Sequence, residues 1–237
     1  MKKYTIEDLR DILITLRGEK GCPWDKVQTH QSIKKSLIEE CYEAIDALDN
    51  GTDKDFANEL GDVLLQVVFH ARIAEERNAF DFDDVVSEIC TKLITRHTHV
   101  FGADKAGDVD EALTNWEKNK KKEKNLKSDI DVLKDVPNYL PGLMRAEKLY
   151  KKAKDLGYEK KTQEDMHKEI TDLFEAIKSE QNPEKAEALY GKLLFTLTAL
   201  GKLRGICAET AISAEANRFI DKIAEISASH YSPRLEV

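Results

Sequence analysis

This sequence predicts an all-α protein. Apolar residues recur at helical spacing over most of the chain, and only five prolines and eleven glycines punctuate its 237 residues. No run alternates in the way a half-buried β-strand does, so no significant β-sheet is expected.

The elements follow in order. Thr5 stands before Ile6-Glu7-Asp8 and opens a helix over 5–17. A second helix is expected over 30–49, and the turn Asp49-Asn50-Gly51-Thr52 leads to Asp53, which opens a long one over 53–77. Helices over 82–97, 109–123 and 141–155 come next, then 162–179. Asn182-Pro183 places proline at a first helical position for 184–204, and a last helix covers 208–228.

Residues 119–127 are rich in lysine with almost nothing apolar, but Glu117, Glu123, Asp129 and Asp131 flank them. A solvated helix end or linker fits this better than a nucleic-acid patch. With Pro137, Pro141 and Gly142 just beyond, the chain divides into 1–104, a helical linker 105–137, and 138–237. The formal charge of −8 argues against nucleic acid as a partner, because phosphate contacts need a basic surface. Cys22, Cys41, Cys90 and Cys207 are far apart and form no C-x-x-C pair, which fits reduced thiols in a cytoplasm. The N-terminus lacks an apolar signal region, and the longest apolar run, Val63 to Phe69, is too short to span a bilayer. No membrane association is expected.

Chemistry concentrates on the second and third helices. Glu39, Glu40 and Glu43 form E-E-x-x-E, and Glu59 and Asp62 form E-x-x-D after the turn. Residues three or four apart share a helix face, so an antiparallel pair aims both sets into one crevice. An isolated E-E-x-x-E is usually a solvated face. Here Leu37, Ile38, Cys41, Ala44, Ile45 and Leu48 surround the first set, and Val63, Leu64, Leu65, Val67, Val68 and Phe69 follow the second. An apolar setting on nearly all sides predicts a buried helix, where an unpaired carboxylate must be protonated, paired or metal-bound. Lys34, Lys35 and Lys54 are placed to flank the cluster rather than fill it. Mg²⁺, which prefers carboxylate oxygen and bridges to phosphates, is favoured over a salt-bridge network.

The second half reads as a worn copy of the first. Glu175-Ala176-Ile177 resembles Glu43-Ala44-Ile45, and Tyr190-Gly191-Lys192-Leu193-Leu194-Phe195 resembles Leu60-Gly61-Asp62-Val63-Leu64-Leu65. In this register Thr171, Asp172, Leu189 and Lys192 match Glu39, Glu40, Glu59 and Asp62, so the second copy is not expected to hold the metal.

At these residues the chain resembles the MazG-type nucleoside triphosphate pyrophosphohydrolases. Gly21-Cys22-Pro23-Trp24-Asp25 and Gln28-Thr29-His30 match the family's N-terminal signature, as does Leu16-Arg17 before them. Glu59 through His70 matches throughout, and Arg96-His97-Thr98-His99-Val100-Phe101-Gly102 matches except that the family usually has proline where Thr98 stands. The resemblance is strong over 5–125 and weak over 137–228.

It implies two related MazG-like helical bundles, the second degenerate, and Mg²⁺-dependent hydrolysis of an NTP or dNTP to the monophosphate and pyrophosphate. Mn²⁺ is a possible substitute. The matched metal ligands are Glu40, Glu43, Glu59 and Asp62, with Glu39 beside them to orient or deprotonate the attacking water. Lys92 and Arg96, four apart on one helix face, align with phosphate-contacting positions, although any surface helix can carry such a pair. Trp24 has two readings, a flat face for stacking a base or a core tryptophan behind Pro23. His30 reads as a helix-start or supporting residue, and Gln66 as nucleotide-facing or as a buried structural amide. The family's oligomeric habit and the long apolar helix from Phe56 to Ile73 lead to the expectation of a homodimer. The rival expectations are a noncatalytic nucleotide-sensing protein and a helical adaptor whose carboxylates form surface salt bridges.

Overall fold

The computed structural model describes residues 2–230, and every regular element among them is a helix. Nine correspond to the predicted ones: α1 (Ile6–Arg17), α3 (Lys34–Asn50), α4 (Asp53–Glu75), α5 (Phe82–Arg96), α7 (Val109–Glu123), α9 (Gly142–Asp155), α10 (Gln163–Ser179), α11 (Pro183–Leu203) and α12 (Ala208–His230). Three short helices join them: α2 (Pro23–Val27), α6 (Thr98–Phe101) and α8 (Asp129–Lys134). Each is too short to display a helical period. Pro23 at the first position of α2 and Ser128 before α8 are the start signals they carry.

Local chemistry sets the boundaries. Thr5, Thr52, Asp81, Ser128 and Thr162 each cap a helix while the carboxylate three residues on bonds back to the cap N–H. Each such capping box satisfies two backbone donors that the first turn leaves free. The α3–α4 turn is tighter than expected, with only Gly51 and Thr52 outside the helices. Gly51 donates to the Ala47 carbonyl at 2.9 Å, and a Cβ there would lie 2.7 Å from that same oxygen. Glycine alone fits.

The chain divides into two compact units, 1–120 and 121–237, with the division inside α7. In the first unit Leu13 of α1, Ile33 at the start of α3, and Val68, Phe69 and Ile73 of α4 form the core. Burying each such side chain contributes about 1.5–3 kcal/mol before entropy is counted. α3 lies along α4, and α1 packs against the C-terminal part of α4. In the second unit Tyr150 of α9, Met166 of α10, and Ala199 and Leu200 of α11 pack together.

α4 departs from the sequence expectation. Its buried residues begin at Gln66, whereas Leu60 and Leu64 are 48% and 41% exposed. The apolar character of its first half belongs to a surface rather than to the core of its own unit. Among the described residues no helix is long and apolar enough to cross a membrane.

Candidate active site

The two-residue turn folds α4 back along α3, so that E-E-x-x-E faces E-x-x-D. Glu40 and Glu43 come from α3 and Glu59 from α4, and one carboxylate oxygen of each lies within 4.8 Å of the others. Glu40 is half-buried, and its carboxyl is pushed above the ordinary range. Burial is the first cause, followed by the charges of Glu43, Asp62 and Glu59. The fourth acid, Asp62, one turn beyond Glu59 on α4, acts on Glu40 by its charge but lies outside the three-carboxylate group.

Gln66 lies one further turn along. It is 8% exposed, its side-chain amide lies close enough to Glu40 to favour the carboxylate form, and its Oε1 is buried with no hydrogen-bond partner. Of the two readings of Gln66, the supporting amide matches this placement. The carboxylates repel one another, and no lysine or arginine is among the groups that shift Glu40. An oxygen-only, acidic donor set of this kind fits a hard divalent cation.

Glu39 takes a different direction. It is exposed and pairs with Lys35 at 2.7 Å, outside the three-carboxylate group. On α5, Lys92 pairs with Glu88 at 3.3 Å, and the Arg96 guanidinium lies 5.2 Å from the centre of the Trp116 ring. Trp24 on α2 is 62% exposed, which removes the reading of it as a core residue.

Three supporting features involve residues of the matched segments, His30 among them as a supporting residue, but their contacts carried no signal in the sequence. Arg17, last residue of α1, has a side chain only 5% exposed. It donates to the carbonyls of Asp25 and Gln28, binds both oxygens of Glu76 at 2.9 and 2.7 Å, and lies over the Phe69 ring. It thus ties the segment carrying Trp24 to the C-terminal end of α4. His30 and His70 place their Nδ1 atoms 2.8 Å apart with nearly parallel rings, joining the chain before α3 to α4. His99 Nδ1 is buried with no partner beside the tilted ring of His97. Only residue type and helical phase are legible in advance; these pairings join positions 40 or more apart in sequence or depend on a bend of the loop.

Comparison with known proteins decides the family. The sequence model of the MazG nucleotide pyrophosphohydrolase domain matches residues 28–101, which include every carboxylate of the crevice. A nucleoside triphosphate pyrophosphohydrolase/pyrophosphatase MazG of Thermotoga maritima is 37% identical over 220 residues, 93% of this chain and 84% of that protein. The chain belongs to the MazG family. A nucleoside triphosphate pyrophosphohydrolase of Escherichia coli K12 is 37% identical over 227 residues, covering 93% of this chain and 86% of its own length. The YabN protein of Bacillus subtilis is 48% identical over 148 residues, 62% of this chain but only 30% of that one. The family-model match lies wholly within the first unit, where the acidic crevice sits.

Proposed function

We propose that this MazG protein hydrolyses nucleoside triphosphates to the monophosphate and pyrophosphate, using Mg²⁺ held by Glu40, Glu43, Glu59 and Asp62. The observation that carries the reading is the convergence of three carboxylates on one crevice, with Glu40 pushed toward its neutral form by burial and then by the charges of the others. Such a set is unstable alone and balanced once a divalent cation is shared. The bound ion offsets triphosphate charge and makes water more acidic.

The chain's own residues do the rest. Glu40 keeps its orientation through Gln66. Glu39, adjacent but turned to solvent, orients or deprotonates the attacking water once its pair with Lys35 opens. Water then adds to the α-phosphorus and the bond to the bridging oxygen breaks, leaving pyrophosphate. Lys92 and Arg96 hold phosphate oxygens, and the exposed face of Trp24 stacks the base, an interaction worth about 1–3 kcal/mol. Mn²⁺ can replace Mg²⁺ because both accept oxygen ligands in octahedral sites.

A homodimer is part of the same reading. Ile38, Tyr42 and Ile45 are 51%, 47% and 47% exposed and run as one stripe on α3. Ile38 is two residues from Glu40, about 200° around the helix, so the stripe lies away from α4. A helix with its acidic side on α4 and an apolar side open to water has room for a second copy. The four cysteines form no disulfide, in keeping with a cytoplasmic setting.

The deciding experiment incubates purified protein with standard NTPs and dNTPs, with and without Mg²⁺, and separates the products. Monophosphate and pyrophosphate should appear only with the metal. No product from any nucleotide, in a folded sample, rejects the enzyme in favour of a nucleotide sensor. Release of inorganic phosphate instead rejects attack at the α-phosphorus.

A further inference from the structure

The second unit carries its own helix pair, and its helix ends give a register between the halves that the sequence alone did not. α3 and α10 are both 17 residues long; their starts, Lys34 and Gln163, and their ends, Asn50 and Ser179, differ by the same 129 positions. α4 and α11 start at Asp53 and Pro183, 130 positions apart. Burial follows these offsets. Ala44 and Leu173 are both buried, as are Gln66 and Thr196, Val68 and Thr198, and Phe69 and Ala199. On α3 and α10 this register differs by three residues from the match of Glu43 with Glu175. It sets Glu169 in the place of Glu40 and Asp172 in the place of Glu43, while Leu189 and Lys192 still replace Glu59 and Asp62.

The second crevice has therefore kept its acids on one helix and exchanged those on the other. The exchange is not idle. Lys192 Nζ lies 2.9 Å from Glu169 Oε1, and Lys161 Nζ lies 2.9 Å from Glu169 Oε2. The Glu169 side chain is 17% exposed, and Asp172 lines the same groove. The electrostatic signs are opposite in the two units. Glu40 is held above the ordinary carboxylate range by burial and three like charges. Glu169 is held below it, first by the hydrogen bond from Lys192 and then by that from Lys161.

We propose that the second unit is a MazG-like crevice whose divalent cation has been replaced by the chain's own Lys192 ammonium, so that its helix pair is complete without metal and takes none. A tethered monovalent ammonium neutralises the acids that remain but leaves no coordination position for water or phosphate. The second unit is then a metal-independent body, and a divalent-ion site lies latent in it behind two side chains. This inference rests on the metal-site reading of the first unit, and its test separates the two.

The full chain is first silenced in unit one by Glu59→Gln and Asp62→Asn, and Mn²⁺ binding is followed by electron paramagnetic resonance and calorimetry. The silenced chain should bind no Mn²⁺ stoichiometrically; if it does so through the second unit, the inference is overturned. Adding Leu189→Glu and Lys192→Asp should then raise Mn²⁺ affinity at least about tenfold over the silenced parent. No gain, in a chain shown to be folded by circular dichroism, overturns it. Hydrogen–deuterium exchange on the unaltered protein needs no variant to fold. Mn²⁺ should slow exchange in α3 and α4 and leave α10 and α11 unchanged, and protection of α10 and α11 overturns the proposal. Absence of protection in α3 and α4 instead counts against the metal site of unit one, and the grafted variant still decides the second unit.

Discussion

At the scale of single residues the molecule contains two kinds of concentrated charge with opposite consequences. Glu40, Glu43 and Glu59 gather like charges, so in the absence of metal they oppose folding. Glu59→Gln keeps shape and removes one charge. It should raise the melting temperature of the metal-free protein by a degree or two, since relief of a half-exposed like-charge contact is worth roughly 0.5 kcal/mol. The same variant should lose Mg²⁺-induced stabilisation and turnover together; calorimetric melts with and without Mg²⁺ check both. Arg17 is the reverse case, a buried cation in which all three guanidinium nitrogens donate. Arg17→Met leaves Glu76 with Arg72 alone, takes the only side-chain donor from the Gln28 carbonyl, and leaves the Asp25 carbonyl with the Gln28 N–H alone. Breaking such a buried pair costs about 3 kcal/mol or more, which urea denaturation will read as a lower midpoint. Because Arg17 and Arg72 hold the Glu76 carboxyl below its ordinary value, their contribution is present at neutral pH and disappears as pH falls through that lowered value.

Between elements, much of the architecture was legible because long amphipathic helices announce themselves by period and by caps. Thr5, Asp53 and Asn182-Pro183 marked their starts to within a residue or two. The helices α2, α6 and α8 were not legible, since four to six residues contain no repeat to detect. The acidic crevice could be read from its three- and four-residue spacings. The exposure of Leu60 and Leu64 could not, because an apolar stripe looks the same whether it meets its own core or another chain. Nor could the contact between His30 and His70, which depends on how the segment before α3 folds against α4. That contact carries a pH dependence. Burial, and then the neighbouring His30, hold His70 below the ordinary histidine value of about 6.5. Its stabilising contribution is full above that value and is lost as pH falls from 6.5 through the lowered folded value, because the unfolded chain takes up the proton first. Stability measured by urea titration should fall over this interval with a slope of at most about 1.4 kcal/mol per pH unit for the single proton. His70→Leu should flatten that part of the curve, and an unchanged slope would assign the effect to other groups.

For the whole molecule, the open question is what covers the apolar side of the α3–α4 pair. Of α4, the core of the first unit engages the part from Leu65 onward, so the half that bears Glu59 and Asp62 packs along α3 outside that core. The acidic crevice on this helix pair works against the packing of α3 on α4 by its own repulsion, and cover over the outer faces would offset it. In the proposed homodimer, a second copy seated on Ile38, Tyr42, Ile45, Leu60 and Leu64 would clamp the pair and remove those side chains from water. Leu64→Glu places a charge in that surface without touching the carboxylates or the core, since Leu64 is 41% exposed in the isolated chain. Light scattering should then show a change from twice the 27.0 kDa of the chain to that mass alone, with helical content retained. Turnover should fall at least about tenfold, as expected when roughly 1.4 kcal/mol or more of site organisation is lost. Unaltered mass and turnover would mean that α3 and α4 hold their geometry unaided. The repulsion at Glu40 would then be balanced by the metal alone, and the apolar stripe would need a different occupant.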